Sequence, residues 1–126
     1  MKKLTMMLMF CLTVGMVMAQ SADGLYKAGV MADKAGNATL AFTYYEKAAN
    51  MGDSNAQFAL GVCYDIGRGV EKDESQAANW VEKAAKQGHR DAQYMLSYFY
   101  RNGIGVPKDD KQAVYWKKKY EENPNK

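Results

Sequence analysis

A chain of 126 residues, 48% apolar and 25% charged, is long enough for one domain with a single core and too apolar for a disordered chain. Its formal charge of +3 falls to +1 if Lys2 and Lys3 leave with an N-terminal leader, which excludes a general electrostatic case for nucleic acid. Ala, Lys, Glu, Gln, Met and Tyr dominate, and both prolines lie outside the periodic segments, so the predicted fold class is all-α.

The leader comes first. Lys2 and Lys3 precede an uncharged, mostly apolar run over residues 4–16, and Val17-Met18-Ala19 has the side-chain sizes that signal peptidase requires. Residues 1–19 are therefore read as a signal peptide cleaved after Ala19, exporting the chain to the periplasm or the extracellular space. The apolar run is short for the roughly 20 residues of a spanning helix, so a retained anchor is the lesser alternative. Cys11 leaves with the leader. Cys63 then has no internal disulfide partner, and its place between Val62 and Tyr64 on a helix reads as a small buried apolar residue.

Three helix pairs are predicted in residues 20–126, in units of about 22–52, 53–88 and 89–122. The first pair covers 23–34 and 38–50 across the brief turn Ala35-Gly36-Asn37. The second covers 54–65 and 73–87. Its first helix sets Ala56, Leu60, Gly61 and Tyr64 on one face, its turn carries Gly67 and Gly69, and its second helix repeats Ala77, Trp80, Val81 and Ala84. The third covers 91–102 and 109–121, with Pro107 in the turn, where a missing N–H is harmless. Asp73 with Gln76, and Asp109 with Gln112, have the spacing of a capping box at the second helix of a pair. Gly29, Gly61 and Ser97 share one repeat position, which predicts close approach of paired helices there. Lys117, Lys118 and Lys119, followed by Glu121 and Glu122, read as a solvated helix face.

The organising signal is an internal repeat. At an offset of 36 residues Ala41, Glu46, Lys47, Ala48 and Ala49 return as Ala77, Glu82, Lys83, Ala84 and Ala85. Gly52 meets Gly88, Ala56-Gln57 meets Ala92-Gln93, Leu60 meets Leu96 and Tyr64 meets Tyr100. Gly67, Gly69 and Val70 meet Gly103, Gly105 and Val106, and Asp73, Ala77 and Trp80 meet Asp109, Ala113 and Trp116. One helix pair cannot bury its own apolar face, and about three stacked pairs are the usual minimum for a stable array.

The run Tyr45-Glu46-Lys47-Ala48-Ala49, with Gly52, Ala56-Gln57, Leu60-Gly61, Tyr64, Gly67-Arg68-Gly69-Val70, Asp73, Ala77 and Trp80, resembles the Sel-one-like repeat, a relative of the tetratricopeptide repeat. The longer Gly-x-Gly-Val turn distinguishes it from the plain tetratricopeptide form, whose short turn the first unit keeps. Ser97 departs from the pattern, which has glycine there. The resemblance covers about residues 22–121 and implies an α-α solenoid, a right-handed superhelix of antiparallel pairs. It further implies a protein- or peptide-binding scaffold, often associated with envelopes or secreted.

Catalytic chemistry finds no constellation. His89 is the sole histidine and reads as a solvated helix-start residue; one histidine and one remaining cysteine make no zinc set. No Ser or Thr has Lys three residues on, and the glycines match neither dinucleotide nor P-loop spacing. The expectation is therefore no enzyme, no cofactor and no metal. Some secreted, cysteine-rich relatives are described as penicillin-binding or β-lactamase-like, but they carry paired cysteines in each repeat, which this chain lacks. That alternative is disfavoured. A self-associating structural component of the envelope, a homo-oligomer, is the other.

If the pairs stack as in tetratricopeptide arrays, the first helices line the concave surface. Their outward positions are Tyr26, Phe58 and Tyr94 at one rung and Val30, Val62 and Tyr98 at another, flanked by Lys27, Asn55, Asp91 and Arg101. An aromatic and aliphatic strip with polar edges suits a peptide anchored by buried rings and rim hydrogen bonds.

Overall fold

The computed structural model describes residues 21–125, so the leader and its cleavage site lie outside the described residues. Six helices follow in order: α1 (Ala22–Lys34), α2 (Ala38–Asn50), α3 (Ser54–Ile66), α4 (Glu74–Lys86), α5 (Arg90–Asn102) and α6 (Asp110–Glu122). They match the predicted segments to within a residue or two. Consecutive helices make the dominant contacts, α1 on α2, α3 on α4 and α5 on α6 most extensively, then α2 on α3 and α4 on α5. This nearest-neighbour packing is that of an α-α solenoid.

Alanine makes the close packing possible. Ala41, Ala48, Ala49, Ala56, Ala77, Ala84, Ala85, Ala92 and Ala113 are all almost completely buried. Phe99, Leu60, Leu96 and Val81 are the largest side chains with essentially no exposure. Cys63 is buried in the first core cluster as predicted, and burial, then the nearby Asp33 carboxylate, pushes its thiol up to about 11. At neutral pH it is a protonated thiol packed as an apolar group.

The small residues at the pair crossing have unequal partners. A methyl group at Gly29 would meet the Tyr45 ring at 2.6 Å, and one at Gly61 would meet Val81 Cγ2 at 2.6 Å. Ser97 is accommodated instead, with its hydroxyl donating to the Ala113 carbonyl at 2.8 Å. The residue 36 positions beyond Val81 is Lys117, whose exposed side chain leaves that room.

Both long turns are built alike. Gly67 and Gly103 end their helices at φ 68° and 64°, the left-handed region that favours glycine. The Cys63 carbonyl accepts from Arg68 N–H at 2.9 Å, and Tyr64 accepts from Asp73 at 2.9 Å; Phe99 and Tyr100 repeat the arrangement with Ile104 and Asp109. The second glycine of each turn lies against the preceding pair: a methyl on Gly69 would overlap the Ala38 carbonyl, and one on Gly105 the Glu74 carbonyl. The turn therefore sits on the start of the neighbouring second helix, where no side chain fits.

The expected capping box forms only in half. Asp73 Oδ1 accepts from Gln76 N–H at 3.0 Å and Asp109 Oδ1 from Gln112 N–H at 3.1 Å. The reciprocal bond is pre-empted, because the Asp73 and Asp109 N–H groups already donate to Tyr64 and Tyr100.

An amide relay seals the junctions between pairs. Gln57 donates to the Ala49 carbonyl at 3.4 Å and accepts from Gln87 at 2.7 Å, and Gln87 also donates to Gly52 at 3.0 Å. Gln93 repeats this with Ala85 at 3.2 Å, and Asn123, 36 residues beyond Gln87, completes it by donating to Gln93 and to Gly88, each at 2.8 Å. A buried amide needs such partners, since an unpaired one costs about 1–3 kcal/mol.

Candidate protein-binding groove

The first helices α1, α3 and α5 carry the predicted strip. Tyr26 lies partly buried with its ring 5.9 Å from that of Tyr45. Phe58 is partly buried, and its ring stacks on His89 at 4.6 Å. Tyr94 and Tyr98 are 58% and 54% exposed, too much for core residues; Tyr94 leans on Tyr120 at 5.2 Å.

Two hollows open along this face. The first, of about 370 Å³, lies among Tyr26, Tyr45, Phe58, Val62 and Ile66, with Asn55, Asp33, Arg68, His89 and Asp91 as its polar wall. The second, of about 330 Å³, lies among Phe58, Tyr94, Met95, Tyr98 and Tyr120, again with Asp91. Phe58 and Asp91 belong to both, so the strip is one groove divided by a ridge. A more polar hollow of about 420 Å³ adjoins it at Asn55, His89 and Asp91.

Of the predicted residues, Tyr26, Asn55, Phe58, Val62, Asp91, Tyr94 and Tyr98 line these hollows. The other three do not. Val30 packs against the first core cluster, Lys27 pairs with Asp23 on its own helix at 2.7 Å, and Arg101 is exposed in the last turn of α5. Reasoning from one helix at a time missed Tyr45 and Tyr120, which come across from the second helices, and Arg68, which comes from the turn and pairs with Asp33 at 2.6 Å.

His89 starts a helix as expected but is not solvated. It is the N-cap of α5, with Nδ1 accepting from Ala92 N–H at 3.2 Å. Its ring is partly buried against Phe58 rather than solvated, and burial lowers its pKa below the ordinary 6.5. Burial likewise pushes the Tyr45 hydroxyl up to about 12. Among the described residues no group of three or more His, Cys, Asp and Glu side chains could hold a metal, and no helix is long and apolar enough to cross a membrane. What the groove offers a ligand is ring faces, aliphatic walls and a few hydrogen-bonding groups.

Comparison with known proteins finds the Sel1 repeat model at residues 17–53, 54–89 and 90–119. Among solved structures, a Sel1 repeat protein from Oxalobacter formigenes is similar with a TM-score of 0.80 and 33% identity, covering 84% of this chain and 45% of that one. The antigen c5321 of uropathogenic Escherichia coli, described as protective and as displaying an SLR fold, gives 0.73 and 39% identity over 76% of this chain and 21% of its own. Cysteine rich protein B of Helicobacter pylori gives 0.65 and 32% identity over 68% of this chain and 65% of its own. The rat and mouse proteins named DAP3-binding cell death enhancer 1 are 48% identical over 44 residues, 35% of this chain but only 9% of theirs. This chain thus spans under half of the first of these structures and a small part of the mammalian proteins.

Proposed function

This chain belongs to the Sel1 repeat family, a helical scaffold typical of protein–protein interaction, and on that premise we propose that it is an exported, non-enzymatic module that holds a peptide or protein segment in the groove along α1, α3 and α5. The observation that carries this reading is the pair of largely exposed rings at Tyr94 and Tyr98 beside a hollow walled by Phe58, Met95 and Tyr120. Rings held with one face free supply large contact area at low entropic cost, which is why aromatic anchors dominate interface energetics. The export half of the proposal rests on the sequence of residues 1–19. Its test is the mass of the protein recovered from the periplasm or medium, which begins at Gln20 if cleavage follows Ala19.

The groove reading is tested with Tyr94→Ala combined with Tyr98→Ala. We expect crosslinked capture of a partner from envelope extract to be lost while helical circular dichroism persists, because exposed positions change stability by only about 0.5 kcal/mol. Undiminished capture would sink the groove assignment, and lost helicity would make the rings structural. Hydrolysis of a chromogenic β-lactam by the purified protein would overturn the non-enzymatic part.

A second reading, self-association, is favoured by the outer face of α6. Phe42 meets Tyr64 of the next pair edge-on at 5.4 Å, and Ala78 is buried beside Gly105, but Val114 at the same repeat position is 63% exposed. Light scattering tests it: a dimer mass that reverts to monomer on Val114→Lys supports this reading, and a monomer over the working concentration range removes it.

A further inference from the structure

The two apolar hollows are lined by few charges, and those charges are unequally engaged. Asp33 and Arg68 pair with each other at 2.6 Å. Arg90, next in sequence to the ridge, lies with its guanidinium over the Tyr120 ring at 4.0 Å. His89 accepts a hydrogen bond through Nδ1, which requires that nitrogen to be unprotonated, and burial lowers its pKa further. Asp91 stands apart. It lines both apolar hollows and the polar one, its side chain is exposed, and it makes no salt bridge among the described residues. Among the charges lining the two apolar hollows, Asp91 is therefore the one without an ion-pair partner among the described residues, on the ridge between them. Arg90, likewise outside any salt bridge there, lines the polar hollow and is taken up by the Tyr120 ring.

We infer that the occupant of this groove is a basic-apolar peptide segment, with one apolar side chain seated on each side of Phe58 and a lysine or arginine between them facing Asp91. This rests on the peptide-binding reading above and narrows it to a partner chemistry. An acidic segment would bring like charge against Asp91, where juxtaposed carboxylates are disfavoured and suppress wrong partners. An extended segment of the polyproline-II type returns side chains to one face every three residues, after about 9 Å. Two anchors three residues apart therefore leave the segment on one face, one for each hollow, with the two intervening residues flanking the ridge.

The probe is a capped octapeptide with two leucines three residues apart and two lysines between them, against the same peptide with two glutamates. Each is titrated into isotope-labelled protein at low salt, following the amide resonances of Phe58, Asp91 and Tyr94. The lysine peptide is expected to shift all three and to bind at least about tenfold more tightly than the glutamate peptide, a difference that narrows as salt shortens the screening length from about 10 Å at 0.1 M to 3 Å at 1 M. Asp91→Asn should remove most of that preference and Asp91→Lys should reverse it, with thermal unfolding still cooperative and shifted down only slightly, as expected when a carboxylate leaves the first turn of α5. Equal binding of both peptides, or a lysine preference that survives Asp91→Lys, overturns the charge assignment; continued shifts at Phe58 and Tyr94 in that case leave the groove reading standing. Absence of any shift with either peptide at millimolar concentration overturns the inference outright, and capture by the Tyr94→Ala, Tyr98→Ala variant then judges the groove separately.

Discussion

The helix pairs α3–α4 and α5–α6 are two printings of one plan at an offset of 36 residues, with a shared framework and a changed groove face among their differences. Framework positions are held: Leu60 and Leu96 in the core, Gln57 and Gln93 in the amide relay, Gly67 and Gly103 at the helix ends, Asp73 and Asp109 as caps. Groove positions change: Asn55 becomes Asp91, Phe58 becomes Tyr94, Ala59 becomes Met95 and Val62 becomes Tyr98. The divergence follows from what each position must satisfy. A buried leucine or relay glutamine is dictated by neighbours inside the chain, whereas a side chain facing open space answers to whatever occupies that space.

The largest effect expected tests the equality of the two frameworks. Leu60→Ala and Leu96→Ala each remove a side chain with no exposure and should each cost about 2–5 kcal/mol in urea unfolding. Closely matched losses bear out equivalent packing, and a difference beyond about 1.5 kcal/mol would mean that one pair dominates the core.

The helix crossing should separate the pairs. Gly61→Ala gains about 1 kcal/mol of helix propensity, but its methyl meets Val81 at 2.6 Å, an overpacking worth about 1–3 kcal/mol, so a net loss of roughly 1 kcal/mol is expected. Gly61→Ala with Val81→Ala should lose less stability than the sum of the two single losses, since the two groups share one space. Ser97→Ala has no such clash and forfeits only the hydroxyl bond to Ala113, about 0.5–1.5 kcal/mol before its helix-propensity gain. Thermal denaturation of the four variants, Val81→Ala alone included, ranks them, and a Ser97→Ala loss larger than that of Gly61→Ala would refute the crowding argument.

The smallest effect concerns the two N-caps, Asp53 on α3 and its counterpart His89 on α5. Asp53 accepts from Ala56 N–H at 2.8 Å and His89 from Ala92 N–H at 3.2 Å. Burial against Phe58 holds the folded pKa of His89 below the unfolded 6.5, opposed by the Asp91 and Asp53 carboxylates. The unfolded chain therefore binds the proton more tightly, so this stability is fully present above pH 6.5 and is lost as pH falls through the folded value. His89→Asp should abolish that part of the acid slope in denaturant titrations run between pH 7 and 5. An unchanged slope would locate the proton uptake elsewhere.

Much of the fold was legible because it is written in short-range terms. Alanine and leucine at helical spacing, glycine at the ends of α3 and α5, and aspartate before α4 and α6 each act within a turn of their own position. The groove was legible only in part. Helical periodicity names the residues that leave α1, α3 and α5 outward, and seven of them do line the hollows. It says nothing of Tyr45, Tyr120 and Arg68, which reach the same face from other elements. Lys27 and Arg101 were plausible flanks by sequence, but one is tied to Asp23 and the other stands beyond the hollows.

Stacked helix pairs follow from the residue pattern alone, because a 36-residue recurrence of small, apolar and capping residues has one physical use: each pair buries the face its neighbour exposes. How the helices pack makes the strip a divided groove, sets His89 as a half-buried cap stacked on its dividing ring, and leaves Asp91 on that ridge with no salt bridge among the described residues. Those features depend on how far apart the helices pack and on which side chains arrive from the opposite helix. Packing distances are set by the volumes of residues many positions apart, such as Gly61 against Val81, and no local pattern reports them.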